Sequence, residues 1–360
     1  MNGFIRLMPK FLQTLTPYES PREGISGKTA WLNSNEYPEP TAYAMRFDTL
    51  NRYPEVQPRI FCERYATYAG VQPRSVLVTR GADEAIELLI RTFCEPGKDR
   101  VLYAEPTYSM YAISSQTCGV STVSVPQTAA GDVDFNAFAQ MLADNARAQS
   151  IKLAFFCNPN NPTGEVHAPE TVERLLQSMP GDVLLAVDEA YIEFCPTMTT
   201  TTLMAKYPNL VIIRTLSKAF ALAGLRCGVL LADSEVITCL KKVIAPYPVP
   251  EPVAAIAQEA LTPKGVALMK ERVKRVEANR AYLMGELLRL PGLTRVYDTQ
   301  TNFVLIALEN AANVYQALWQ KGIAVRNPGD EKTLRISVGT REECEMLINA
   351  LGSILKGRNR

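Results

Sequence analysis

From about residue 70, short runs of β-branched and other apolar side chains alternate with stretches of helical periodicity. The runs SVLVT (75–79), RVLYA (100–104), STVSV (121–125), IKLAFF (151–156), DVLLAV (182–187), LVIIR (210–214) and CGVLLA (227–232) are mostly apolar at consecutive positions. A strand buried on one face alternates apolar with polar; a strand covered on both faces does not. Between the first two runs, Ile86, Leu89, Ile90 and Phe93 recur at helical spacing, and the turn EPGKD closes the segment. This order of strand and helix predicts an α/β fold with a mostly parallel seven-stranded sheet between helices.

After residue 250 the pattern changes. A long charged helical stretch, GVALMKERVKRVEANRAYLMGELLRL, leads into the short strand-like runs TNFVLIAL and TLRISVG and a final helical stretch REECEMLINALGSIL. These predict a smaller α+β domain over 251–360, hinged near the proline-rich IAPYPVPEP (244–252). A large α/β domain would then span 46–250. Residues 1–45, rich in proline and turn formers, show no sheet of their own and are expected to pack on the small domain or on a partner subunit.

Composition adds mainly exclusions. With 38 basic against 37 acidic residues among 360, the chain carries no charge excess that would draw it to nucleic acid or to a membrane surface. The start, MNGFIRLMPKF, has no uninterrupted apolar run, so neither a signal peptide nor a membrane span is read there, and the expected location is the cytoplasm. The eight cysteines, at 62, 94, 118, 157, 195, 227, 239 and 344, include no C-x-x-C pair and read as reduced core thiols. His167 is the sole histidine, which disfavours a zinc site and a Ser-His-Asp triad; it is expected at the surface.

The candidate chemistry centres on TLSKAFALAGLRCG (215–228). From Thr215 to Ala232 only Lys218 and Arg226 carry charge. Desolvation disfavours an ammonium, lowers its pKa and frees the amine as a nucleophile, the setting of Schiff-base lysines. In open α/β sheets ligands lie beyond the carboxyl ends of the strands, so the polar residues that follow the apolar runs matter most. IKLAFF ends in CNPNNPTG, DVLLAV in DEAY and LVIIR in TLSK, which brings Asn161, Asp188, Tyr191, Thr215, Ser217 and Lys218 towards one cleft. SVLVT ends in RGADE, where Gly81 opens a helix whose first amides, at Ala82 and Asp83, are a ready anion site. Taken singly, each has an ordinary reading: Asp188 a strand-end cap, Arg226 a surface ion-pair partner, Tyr108 and Tyr191 core aromatics, Asn161 a turn residue.

Taken together, NPTG, DEAY and SK…GLRCG occur in an order and at a spacing that resemble the fold-type I aminotransferases, which use pyridoxal 5′-phosphate (PLP); the resemblance covers almost the whole chain. It implies that Lys218 carries the cofactor and moves the proton, and that Asp188 keeps the pyridine nitrogen protonated. It further implies that Asn161 and Tyr191 bond the phenolic oxygen and that Tyr108 stacks on the ring. The phosphate would take Ala82, Asp83, Thr215, Ser217 and Arg226, and Tyr53 would reach the phosphate of the other subunit, which makes the active unit a homodimer. Within that family, LTPYES (15–20), WLNSNEYP (31–38), RYPE (52–55), TRGADE (79–84), LSKAFALAGLRCG (216–228) and IAPYP (244–248) resemble the histidinol-phosphate aminotransferases.

That branch implies amino transfer between L-glutamate and imidazole acetol phosphate, giving L-histidinol phosphate and 2-oxoglutarate. Two arginines, Arg326 and Arg335, flank the loop NPGDEKT, and a pair suits a substrate phosphate through charge-assisted bonds. By resemblance Tyr18 and Asn161 would also approach that phosphate, and Tyr247 would lie near the substrate. Whether Arg326 faces inward is open at this stage. An aromatic aminotransferase or a phosphothreonine decarboxylase of the same fold stand as alternatives. A P-loop ATPase is a remote one: SGKT (26–29) and AVDEA (186–190) echo its motifs, but Arg22 stands where the loop needs glycine.

Overall fold

A computed structural model of the chain describes residues 3–16 and 27–356. Its strands, in chain order, are β1 (Ala30–Trp31), β2 (Val76–Thr79), β3 (Arg100–Ala104), β4 (Ser121–Val125), β5 (Ile151–Cys157), β6 (Leu184–Asp188), β7 (Leu210–Thr215), β8 (Gly228–Leu231), β9 (Leu293–Val296), β10 (Phe303–Leu308), β11 (Ile323–Ala324) and β12 (Thr333–Ser337). All seven apolar runs of the central region are strands, and they form one sheet in the order β2-β8-β7-β6-β5-β3-β4. Only β8 runs against its neighbours, pairing antiparallel with both β2 and β7.

The consecutive apolar positions have the expected physical cause. On β7, Leu210 and Ile212 enter one core cluster while Val211 and Ile213 enter another on the opposite face. Ala154 and Phe156 of β5 divide in the same way from Leu153 and Phe155. The helix Ala82–Phe93 covers one of these faces, with Ala85, Ile86, Leu88, Leu89 and Ile90 all buried. Each such side chain removed from water contributes roughly 1.5–3 kcal/mol, so the sheet is held mainly by what lies above and below it.

In the C-terminal third a three-stranded antiparallel sheet, β12-β10-β9, packs against the helices Pro263–Leu287 and Arg341–Lys356. The long helix, the two predicted strands and the last helix are where the sequence pattern put them. β9 and the helices Glu251–Ala260 and Ala311–Gln320 are additions. The N-terminal segment does supply a strand: β1 pairs in parallel with β11, and Leu32 then bonds to both Ala324 and Ser337. Two residues are too short to leave a periodic signature. Residues 33–36 are thereby fixed between the two sheets.

His167 departs from expectation. Its side chain is 17% exposed, stacks on Phe135 at 5.0 Å between centroids and meets Glu165 at 3.0 Å. All eight cysteines are free. Among the described residues no helix is long and apolar enough to cross a membrane.

Candidate active site

At the carboxyl ends of β5, β6 and β7 lies a cavity of about 560 Å³, closed on the far side by residues 33–36 and by Arg326 and Arg335. The parallel run of these three strands brings their last residues to one edge, and the polar residues in the loops that follow form the floor. Asn161, Asp188, Tyr191, Thr215, Ser217, Lys218, Arg226, Ala82, Asp83, Tyr108, Arg326 and Arg335 all line this cavity.

Asp188 is 2% exposed. One oxygen accepts from the Tyr111 hydroxyl at 2.8 Å and the other from the Ala190 amide at 3.0 Å. Burial pushes its carboxyl up to about 6, against the pull of those two bonds. Lys218 sits in the loop after β7, among buried Leu216, Ala219 and Phe220. Its Nζ donates to the Ser34 carbonyl at 2.9 Å. Burial, with the positive Arg335 beside it, draws the amine down to about 8.

The loop after β5 is built by its asparagines. The Asn158 side chain bonds twice to the His167 backbone, and Asn160 ties the Pro106 carbonyl, Thr107 and Thr163 together. This frame holds Asn161, whose Oδ1 accepts from Arg335 Nη1 at 2.6 Å; Nη2 of the same arginine donates to the Asn33 carbonyl. Arg326 stands opposite Arg335 across a two-way backbone bridge, and both residues line the cavity.

At the other end, Gly81 precedes the helix Ala82–Phe93 with φ 86°, and Arg226 comes so near that a Cβ on Gly81 would lie 2.5 Å from Nη2. The positive φ is what calls for glycine there. Arg226 pairs with Asp83 at 3.2 Å, and Asp83 accepts from the Tyr108 hydroxyl at 2.9 Å. Thr215 and Ser217 join hydroxyls at 2.8 Å beside them. The donor set suits PLP: a helix N-terminus, a guanidinium and two hydroxyls for a phosphate, a buried carboxylate for a ring nitrogen, and an amine of lowered pKa for an aldehyde.

Two sequence-predicted positions fall elsewhere. Tyr53 and Tyr247 stack on each other at 4.5 Å, are 81% and 45% exposed, and do not line the cavity of their own chain. Tyr18 lies outside the described residues. Two site residues were missed. Tyr111 is fully buried, stacked on Phe155 at 4.6 Å, and follows Tyr108 by one helical turn, which was its available signal. Asn35, at φ 53°, donates to the Tyr191 hydroxyl at 3.0 Å and is gripped by Ser337 and Asn302. Nothing local marks it, because its partners come from the other end of the chain.

Residues 28–351 match the family Aminotransferase class I and II. A histidinol-phosphate aminotransferase of Cronobacter sakazakii is 50% identical over 344 residues, 94% of each chain. One from Yersinia pseudotuberculosis is 48% identical over 95% of this chain and 89% of its own. Among solved structures, that of a histidinol-phosphate aminotransferase from Sinorhizobium meliloti in complex with pyridoxal-5′-phosphate overlays with TM-score 0.85, covering 98% of both chains at 22% identity, a likeness of fold.

The pKa of Lys218 can be read without any cofactor, because only the free amine attacks an acylating reagent. Acetylation of Lys218 in cofactor-free protein, followed by peptide mass spectrometry, should rise through pH about 8. A midpoint at the ordinary lysine value, near 10.4, would contradict the burial argument. With both the family match and half-identical relatives spanning nearly all its length, this chain belongs to the class I and II aminotransferases, within them to the histidinol-phosphate aminotransferase family.

Proposed function

We propose that the chain transfers an amino group between L-glutamate and imidazole acetol phosphate, giving L-histidinol phosphate and 2-oxoglutarate, a step of histidine biosynthesis. The observation that carries the reading is one cavity: Arg326 and Arg335 line it together with Lys218, in a chain half identical to a histidinol-phosphate aminotransferase. A single guanidinium suffices for an α-carboxylate, whereas two suit a phosphate dianion. Glutamate would place a carboxylate on the same arginines.

PLP, when bound, supplies an aldehyde and a ring that accepts the electron pair left by a departing proton. The chain's own residues supply the rest. Lys218 Nζ would hold the cofactor and then move a proton to and from the substrate carbon that bears nitrogen. Asp188, buried and bonded by Tyr111, would face the ring nitrogen, and a positive partner there would offset the cost of burying its charge. Asn161 and Tyr191 would bond the phenolic oxygen, with Asn35 orienting Tyr191. Tyr108 would flank the ring, while Ala82, Asp83, Thr215, Ser217 and Arg226 form the phosphate corner.

The same proposal includes a homodimer in the cytoplasm, with Tyr53 and Tyr247 acting at the subunit boundary and Tyr18 near the substrate phosphate. Supporting the dimer, the stacked Tyr53 and Tyr247 are exposed, as are Leu50 and Val56 along the same segment as Tyr53, more apolar surface than water favours. Free, mostly buried cysteines fit a reducing compartment. The division at 45 and 250 belongs here too, supported by a seven-stranded sheet contained within Val76–Leu231 and a three-stranded one within Leu293–Ser337.

Arg335→Ala should raise the KM for histidinol phosphate by roughly 10- to 100-fold, the loss of one charge-assisted bond pair, a larger change than it makes in PLP absorbance. An unchanged KM would place the substrate phosphate elsewhere. Light scattering on the purified enzyme should return about twice the 39.8 kDa chain mass. An active species at the single-chain mass would remove the dimer and with it the role of Tyr53.

A further inference from the structure

Behind the cavity floor lies an ion pair that none of the chemistry above uses. Successive residues at the ends of β6 and β7 point to opposite faces of the sheet. Asp188 and Thr215 line the cavity, while their chain neighbours Glu189 and Arg214, 0% and 4% exposed, meet underneath it. Arg214 donates from Nε and from Nη2 to one Glu189 oxygen, at 3.0 and 2.8 Å. The other Glu189 oxygen accepts from the Thr200 amide at 2.6 Å and the Thr200 hydroxyl at 2.8 Å, and Arg214 Nη2 also reaches Thr199 at 2.6 Å. The Glu189 amide continues the ladder to the Ile213 carbonyl at 2.8 Å. Glu193, the neighbouring buried carboxyl, takes the Tyr68 hydroxyl at 3.4 Å instead.

A buried ion pair is a poor source of net stability, since apolar side chains of the same volume often serve as well. What a two-bond guanidinium contact gives is a fixed distance and angle. Here it joins the two strand ends one residue away from the groups that line the cavity. We infer that Glu189 and Arg214 are positioning residues: their clamp sets the spacing of the β6 and β7 ends, and so the place of Asp188 relative to Thr215, Ser217 and Lys218. This rests on the function proposed above, in which Asp188 and Lys218 serve the same cofactor. An active site tolerates little slack, and an error of about 1 Å in such a constellation can cost on the order of 100-fold in rate.

The test compares PLP-loaded Glu189→Gln, Glu189→Asp and Arg214→Lys enzymes with the wild type and with Leu318→Ala. That last change hollows a core position in the helix Ala311–Gln320, none of whose residues lines the cavity. Three quantities are read: the PLP dissociation constant, the pH midpoint of the visible absorbance band, and kcat. Glu189→Gln should weaken PLP binding by roughly tenfold or more, displace the midpoint, and lower kcat by roughly 10- to 100-fold, as loss of outer-shell partners does in other sites. Glu189→Asp, which keeps the charge, should recover part of each loss. Leu318→Ala should lower the melting temperature while leaving all three quantities alone. If Glu189→Gln yields no folded protein, Glu189→Asp and Arg214→Lys are read in the same way, because each keeps the charges but breaks the fork. Wild-type values for all three quantities in the folded clamp variants, whatever their melting temperatures, would overturn the inference. A wild-type protein that takes up no PLP would instead remove the function on which it rests.

Discussion

Desolvation of charge at one end of the sheet is the constraint on which the rest of this structure depends. Asp188, Lys218 and Arg335 all line the same cavity, and burial disfavours the charged form of the carboxyl and of the amine. Each is therefore held by specific donors or acceptors: Tyr111 and Ala190 for the carboxylate, the Ser34 carbonyl for the amine, Asn161 and the Asn33 carbonyl for the guanidinium. Those partners come from four separate parts of the chain. The fold is what brings them within bonding distance, and a pocket built this way has the low pKa on its lysine that carbonyl chemistry needs.

The same constraint explains the position of residues 33–36. Their backbone carbonyls and the Asn35 side chain satisfy groups on both sheets, which is why the short β1 pairing matters beyond its two residues. Without that anchor the Lys218 amine and the Arg335 guanidinium would lose acceptors at once, and an unmet buried charge is costlier than a lost neutral bond.

Much of the fold was legible because six of the seven central strands are buried along nearly their whole length, all but the edge strand β4, so that runs such as LVIIR and DVLLAV carry no polar interruption. The site was legible where its residues follow a strand directly: Asp188 after β6, Ser217 and Lys218 after β7, Asn161 in the loop after β5. It was not legible where the partner is remote in sequence. Asn35 is fixed by Ser337 and Asn302, and Glu189 by Arg214 and a turn at 199–200, and neither pairing leaves a local period or spacing. Tyr111 was within reach of the pattern, one turn from Tyr108, but a tyrosine in an apolar helix reads first as core, which it also is. His167 shows the opposite error: polarity and a loop position suggested the surface, whereas two aromatic rings enclose it.

The central claim is that one cavity holds PLP and exchanges its amino group with a phosphate-bearing amine. Its most direct test is to mix the PLP-loaded protein with L-histidinol phosphate, with no oxo acid present, and to follow the visible spectrum and the oxo product together. Loss of the visible band, with one equivalent of imidazole acetol phosphate per site, is the predicted result. A yellow protein that responds to glutamate but not to histidinol phosphate would contradict the substrate, and a protein that PLP cannot turn yellow would contradict the site itself.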